Sequence, residues 1–565
     1  MNSMYMIHRK IVLFTLLGFF SAIIGTNSLQ AQGTYTNPIL SGFYPDPSII
    51  RVAEDYYLVT SSFAYFPGLP IFHSKDLVSW HQIGYAMDRK EQLDLTGAGV
   101  SRGLFAPSIS YHDGLYYITC TLVDKGGNFI ITAKDPKGPW SNPTYLPQVN
   151  GIDPSLYFED DQAYILYNSI PPDNVSLYNG HRTIRMYPLE KDSLKTKEQE
   201  IILINGGTDL SKQPVWIEAP HVLKKDGWYY LYCAEGGTGY NHSEVVFRSK
   251  SLTGPYLSYP NNPILTQRDL DPARKDPVTS TGHAQLVETA AGEWYAVFLG
   301  CRPYDDGHYN TGRETFMTPV QWIDGWPIIN PGFKTIQSQY PWPKIDGPNF
   351  TSRINEFATN QLFFDHFDGT ELNKRYTFLR TPTKKFYRVK KSKLTLELDS
   401  NTCSGKNPIA MVADRQNHLS GYVTTRMQFQ TLAANEQAGL IVFQNENHYY
   451  FMCKSADNAR PVVQLYKGPG NDRKADGPTL LTSIPLRKKN SAIIFKIEVN
   501  DQGYNFYYSV KKGEWLLLRS DMDRTFLSTE TAGGFVGCMY GMYATSNGTH
   551  TVNTARYDWF EHNGQ

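Results

Sequence analysis

Three carboxylates and a histidine stand at the same phase of a repeat in this chain. Asp46 opens Asp-Pro-Ser, Asp153 opens a second Asp-Pro-Ser, Glu218 opens Glu-Ala-Pro-His and His283 sits in Gly-His-Ala. Phe105, in Phe-Ala-Pro-Ser, fills the remaining copy. Neighbouring carboxyls in different protonation states suit acid–base hydrolysis, in which one group gives a proton and another takes one from water. Glu218 follows Val215-Trp216-Ile217 and precedes Ala219-Pro220, an apolar setting that raises a carboxyl pKa and suits a general acid. Asp46 lies between Pro45 and Pro47, where the backbone is fixed, and suits a base acting on water. Asp153 is the third acid, placed to raise the pKa of Glu218 by like-charge proximity and to hold the substrate. An Asx-type turn explains any one Asp before Pro-Ser equally well, but not an acid recurring at one phase.

The repeat itself is a strand with a paired-aromatic core. It reads Tyr56-Tyr57-Leu58-Val59, Tyr116-Tyr117-Ile118, Tyr164-Ile165-Leu166-Tyr167, Tyr229-Tyr230-Leu231-Tyr232 and Trp294-Tyr295-Ala296-Val297. The first aromatics are 60, 48, 65 and 65 residues apart, and each interval holds β-rich runs broken by Gly, Pro, Asn and Asp. Four short strands with loops fit that length, and such units arranged radially form a propeller. Equivalent points on five blades converge on the axis, so Asp46, Phe105, Asp153, Glu218 and His283 are expected to form a ring. The prolines at 319, 327, 331, 341, 343 and 348 mark a connector. From Leu362 onward, runs such as Lys393–Leu398, Tyr422–Phe429, Gly439–Phe443, Ala492–Val499 and Tyr504–Val510 alternate at sandwich-like spacing. Ala555–Phe560 reads as a last strand returning to the start of that domain. The predicted fold is all-β: a signal peptide over 1–31, a five-bladed β-propeller over 32–345, a linker over 346–361 and a β-sandwich over 362–565.

Composition narrows the function classes. Lys plus Arg equals Asp plus Glu at 54 each, which removes the electrostatic case for nucleic acid or an anionic membrane. Aromatic residues make up 14% of the chain, a level that serves strand packing first and also suits stacking against sugars. The basic His8-Arg9-Lys10, the apolar run Ile11–Ile24 and the site before Gln32 read as a secretory signal, so export to the periplasm or medium is expected, without membrane insertion. Six cysteines without CxxC spacing read as buried thiols rather than a zinc site or disulfide scaffold.

The motifs Phe43-Tyr44-Pro45-Asp46-Pro47-Ser48, Trp216-Ile217-Glu218-Ala219-Pro220-His221 and Thr311-Gly312-Arg313-Glu314-Thr315 resemble those of glycoside hydrolase family 43. The runs 62–68 and 73–80 extend the likeness to its xylosidase and arabinofuranosidase branch, and Glu436–Leu440 resembles its concanavalin-like C-terminal jelly roll. The resemblance implies an inverting exo-glycosidase with Asp46 as base, Asp153 as pKa modulator and Glu218 as acid. It also implies that Arg313 contacts substrate hydroxyls, that Phe63 and Phe105 line the sugar pocket, and that His283 helps hold a water-coordinated calcium near the axis. No cofactor is required, and the partners are hemicellulose-derived oligosaccharides. Phe105 replaces the Trp of many relatives and Thr311 an apolar residue, and both departures tilt the expected sugar toward terminal α-L-arabinofuranose, with β-D-xylose the alternative. A retaining β-fructosidase carries Cys directly after its acid, where Ala219 stands here. A non-catalytic carbohydrate-binding propeller is the competing class. Three roles are open to the second domain: closing the pocket with a loop, binding glycan, or stabilising the propeller.

Overall fold

A computed structural model describes residues 33–565 apart from 191, 198, 345–353, 432, 473–476, 488–491 and 512. The expected signal segment and the first half of the linker, 346–353, therefore lie outside the described residues. Five four-stranded antiparallel sheets follow in chain order, opening with Ser48–Val52, Ser108–His112, Ile152–Glu159, Glu218–Lys225 and Thr279–Glu288. The fourth carries one added short strand, Leu265–Thr266. Every paired-aromatic segment is the second strand of its sheet: Asp55–Val59, Leu115–Leu122, Gln162–Ser169, Trp228–Glu235 and Trp294–Cys301. The first strands touch one another in sequence, and the fifth touches the first, which closes a five-bladed ring. Thr34–Thr36 pairs with Gln339–Pro341 and ties the two ends of the propeller together.

The residues just after the ring positions hold the blades in register. The Ser48 hydroxyl donates to Gln285 Oε1 at 2.6 Å and accepts from the Ile109 amide at 2.9 Å, linking blades five, one and two. Thr119 donates to the Pro154 carbonyl at 2.7 Å, and Ser155 to the Pro220 carbonyl at 2.5 Å. Between blades four and five, buried Glu244 accepts from the Ala284 amide at 2.8 Å. Buried polar groups satisfied in this way fix geometry as well as contributing about 1 kcal/mol each.

The second domain is a two-layer sandwich. Its six-stranded sheet runs in the order Met411–Arg415, Met539–Thr545, Gln437–Phe443, Tyr449–Asp457, Arg460–Lys467, Thr479–Pro485. The eight-stranded sheet contains Leu394–Glu397, Gly421–Gln428, Ile493–Asn500, Gly503–Ser509, Leu516–Met522 and the long final strand Thr554–Gly564. That final strand pairs with Phe363–Asp365 at the start of the domain, as the sequence predicts. Among the described residues the one α-helix is the four-residue turn Thr529–Ala532, and no helix is long and apolar enough to cross a membrane.

The two domains share core. Phe43, Phe63 and Tyr65 of the propeller pack in one buried cluster with Met411, Ile441, Phe443 and Tyr543 of the six-stranded sheet. Phe378–Leu379 pairs with Tyr65–Phe66 across the boundary. Buried Arg415 donates from Nε to the Phe43 carbonyl at 2.6 Å. All six cysteines are buried and free.

Candidate active site

The five ring positions converge. Asp46, Phe105, Asp153, Glu218 and His283 all line one cavity of about 290 Å3 at the end of the propeller axis. Asp46, Asp153 and His283 each have φ 54°, a left-handed backbone that non-glycine residues rarely adopt and that marks functional positions when the surroundings enforce it. Pairing shifts register between Ile152 and Ser155, between Glu218 and His221, and twice around Gly282. These irregularities re-aim the side chains at the strand heads toward the axis. His283 lies in the middle of its strand, and it reaches the ring because two shifts flank it.

The Asp46 carboxylate is held on several sides. It accepts from Ser61 Oγ at 2.6 Å and from Arg313 Nη1 at 3.1 Å, with His283 Nδ1 at 3.7 Å. Its oxygens are thus engaged by partners across the pocket, which the Asx-turn alternative does not provide. Burial pushes this carboxyl upward, but Arg313, His283 and Ser61 outweigh it and hold the group below its ordinary range. Glu218 goes the other way: burial, reinforced by the Asp46 charge, lifts it to about 7 against Arg313, a hydrogen bond from Trp216 and Arg182. Asp153 rises well above its ordinary range, through burial first and then repulsion from Glu218 and Asp46. The leading repulsion on Glu218 therefore comes from Asp46, and Glu218 in turn is the leading repulsion on Asp153. One depressed and two elevated carboxyls in a single buried pocket is the separation that acid–base catalysis needs.

Arg313 bridges the site. Its Nη1 also donates to Thr238 Oγ1 at 2.7 Å, and its buried Nε has no hydrogen-bond partner among the described residues. A buried donor in the wall of a cavity is a ready contact for a substrate hydroxyl. His221, His242 and His283 are all buried near the axis, and burial lowers the pKa of each, the first two to about 3, so they are neutral there. The calcium expected beside His283 has no built ligand set: among the described residues no three His, Cys, Asp or Glu side chains are grouped to hold a metal ion. His283 faces Asp46, with its Nδ1 3.7 Å from the carboxylate.

An aromatic wall faces the carboxyls. Phe63 and Phe105 meet edge to face at 5.3 Å, and Phe535 of the sandwich stacks on Phe63 at 5.9 Å and meets Phe105 at 5.8 Å. Phe535 is anchored by its amide, which donates to Ser101 Oγ at 2.9 Å. The approach of its loop depends on glycine. A Cβ on Gly537 would lie 2.5 Å from the Thr311 carbonyl oxygen, and one on Gly312 would lie 2.7 Å from the Gly537 nitrogen. So the arginine motif and the sandwich loop touch backbone to backbone. Thr311, by contrast, does not line the pocket. It is fully buried, and its hydroxyl donates to Glu314 at 3.0 Å, so it carries no direct argument about the sugar. Trp216, Thr238 and Phe535 line the cavity although sequence reasoning did not place them there. Trp216, two residues before the acid, was within reach of a motif reading, whereas Phe535 had only its flanking glycines as a signal.

Comparison with known proteins gives the same picture from another direction. Residues 35–327 match the model of glycosyl hydrolases family 43, and residues 364–563 match that of the beta xylosidase C-terminal concanavalin A-like domain. A xylosidase/arabinosidase of Butyrivibrio fibrisolvens is 38% identical, over 93% of this chain and 98% of its own length. A non-reducing end alpha-L-arabinofuranosidase of Bacteroides ovatus is 34% identical, over 97% and 98%. Among solved structures, a xylan beta-1,4-xylosidase from Bacillus halodurans superposes with a TM-score of 0.83 at 29% identity, covering 94% of this chain and all of the other. The chain belongs to glycosyl hydrolases family 43 and is a glycoside hydrolase with a five-bladed propeller and a concanavalin-like second domain.

Proposed function

We propose that the protein is an exo-acting, inverting glycosidase that releases terminal α-L-arabinofuranosyl units from hemicellulose oligosaccharides. The opposed proton affinities of Asp46 and Glu218 in one pocket carry this reading. Protonated Glu218 gives its proton to the glycosidic oxygen as the bond from that oxygen to the anomeric carbon breaks. Ionised Asp46 takes a proton from a water whose oxygen bonds the same carbon from the opposite face, so the configuration inverts. Burial and the Asp46 charge keep Glu218 protonated near neutral pH, Asp153 stands in the same pocket as the third carboxyl, and Arg313 orients substrate hydroxyls while holding Asp46. The leaving oligosaccharide has room in a larger cleft lined by Tyr240, Tyr309 and Glu530, from segments that also wall the pocket through Thr238, Arg313 and Phe535. The N-terminal segment fits export to the compartment where such oligosaccharides are met.

Arabinose is preferred on the smaller Phe105 wall and on the near-full-length likeness to an arabinofuranosidase. The second reading, β-D-xylosidase, is favoured by relatives named beta-xylosidase, such as that of Bacillus subtilis at 30% identity. Hydrolysis rates on matched aryl α-L-arabinofuranoside and β-D-xyloside decide between them, and xyloside cleavage faster by a wide margin overturns the arabinose assignment. Proton NMR of the first-formed anomer tests inversion separately.

A further inference from the structure

The six-stranded sheet of the sandwich covers the propeller, so the outer face of its eight-stranded sheet is turned away from the active site. That outer face is concave, with a groove of about 470 Å3. Its floor mixes broad rings with hydroxyl, ammonium and carboxylate groups. Trp559 and Glu561 come from the final strand, Tyr422 and Thr424 from its neighbour, and Lys496 and Glu498 from the next. Trp515, 42% exposed, closes the far side. From Trp559 to Ser509 the groove crosses four strands, and three spacings of about 4.8 Å give roughly 14 Å before Trp515 adds its ring from the following turn, the reach of a short oligosaccharide rather than a single sugar.

The rings are braced rather than loose. Trp559 stacks on Phe364 with centroids 5.8 Å apart. Lys496 Nζ lies 5.1 Å from the Trp515 ring centre and 4.5 Å from that of Tyr507, while donating to Glu498 at 2.9 Å. The Tyr422 hydroxyl donates to Glu561 at 2.6 Å. An outer face that only meets water would be polar along its strands. Two tryptophans held open in a concave face instead present flat apolar surface beside fixed hydrogen-bonding groups, the combination that a pyranose ring with its C–H faces and hydroxyls satisfies. Two carboxylates against one ammonium disfavour an anionic ligand.

We propose that this groove binds the neutral, β-linked backbone of a hemicellulose chain and tethers the enzyme to polymer while the propeller pocket works on terminal sugars. The choice of glycan rests on the function proposed above, but the groove's binding can be measured apart from catalysis. Native affinity electrophoresis in gels containing soluble arabinoxylan or xyloglucan would use full-length Glu218→Gln, which cannot trim the polymer. Its migration is expected to be retarded by at least one of the two, and adding Trp515→Ala or Trp559→Ala should weaken that retardation roughly tenfold or more. The same tryptophan substitutions in the active enzyme should leave aryl glycoside turnover within about twofold, which also verifies folding, and should slow release from polymer. Retardation that survives both tryptophan substitutions, or no retardation by either polymer, overturns the proposal. So does a dimer that Trp515→Ala dissociates without any polymer binding, since the face would then be an interface between copies of the chain. A wild-type enzyme silent on every aryl glycoside but still retarded would refute the catalytic reading and leave the groove standing.

Discussion

On one side of the pocket, Asp46, Asp153, Glu218 and His283 occupy equivalent positions on four of the five blades; on the other, Phe535 arrives from the second domain and completes a wall with Phe63 and Phe105, the ring residue of the remaining blade. The carboxyl side is fixed by local devices, namely strand heads, left-handed backbone and hydroxyls that bridge adjacent blades. The aromatic side is fixed by a long-range backbone contact between Gly312 and Gly537. Chemistry is thus placed by the repeat, whereas the shape around the sugar depends on docking of the sandwich. This division answers one of the roles left open for the second domain: its loop forms part of the pocket.

The comparison breaks most severely at the carboxyls. Glu218→Gln or Asp46→Asn is expected to lower kcat/KM by ~10²–10⁴ with the fold intact by circular dichroism, since general acid–base assistance is worth about that much. On the other wall, Phe535→Ala should cost roughly tenfold to a hundredfold in kcat/KM while the pH profile keeps its shape, because positioning is lost and proton transfer is not. A smaller disturbance separates docking from chemistry. Gly537→Val puts a side chain 2.5 Å from the Thr311 carbonyl oxygen and should destabilise the protein by about 1–3 kcal/mol in urea unfolding, with activity falling in parallel.

Dependence on pH sharpens the same contrast. Activity should fall as pH rises through about 7, where Glu218 loses its proton, and again in acid below the ordinary carboxylate range, where Asp46 gains one. Folding raises Glu218 from an ordinary 4.5 to about 7, so its contribution to stability is fully present below 4.5 and is lost as pH rises through 7. Glu218→Gln removes that titration. The variant should therefore gain thermal stability relative to wild type between pH 4.5 and 7 and hold the gain above, and an unchanged difference across that window would contradict the burial of this carboxyl.

Much of this was legible in the sequence, for a physical reason. A blade is a local unit, so its paired aromatics, its turns and the residue at its first strand head recur at a readable interval, and Asp46, Asp153 and Glu218 could be placed by phase alone. Arg313 came through its motif, and the structure sets it against Asp46. What the sequence did not show depends on contacts between distant segments. Phe535 carries no periodic signal, and the Gly312–Gly537 contact exists only once the domains dock. Thr311 misled for the complementary reason: its neighbour Arg313 points into the pocket while its own side chain turns to Glu314. The source of repulsion on Glu218 was also beyond sequence, because it depends on which carboxyl keeps its charge in the assembled ring.

The division of labour between Asp46 and Glu218 is tested most directly by leaving-group dependence. Turnover of Glu218→Ala would be measured on a series of aryl glycosides whose phenols differ in acidity. If Glu218 protonates the departing oxygen, the loss relative to wild type shrinks steadily as the phenol becomes more acidic, since a good leaving group needs no proton. A loss of the same size across the whole series would contradict the assignment of Glu218 as the acid.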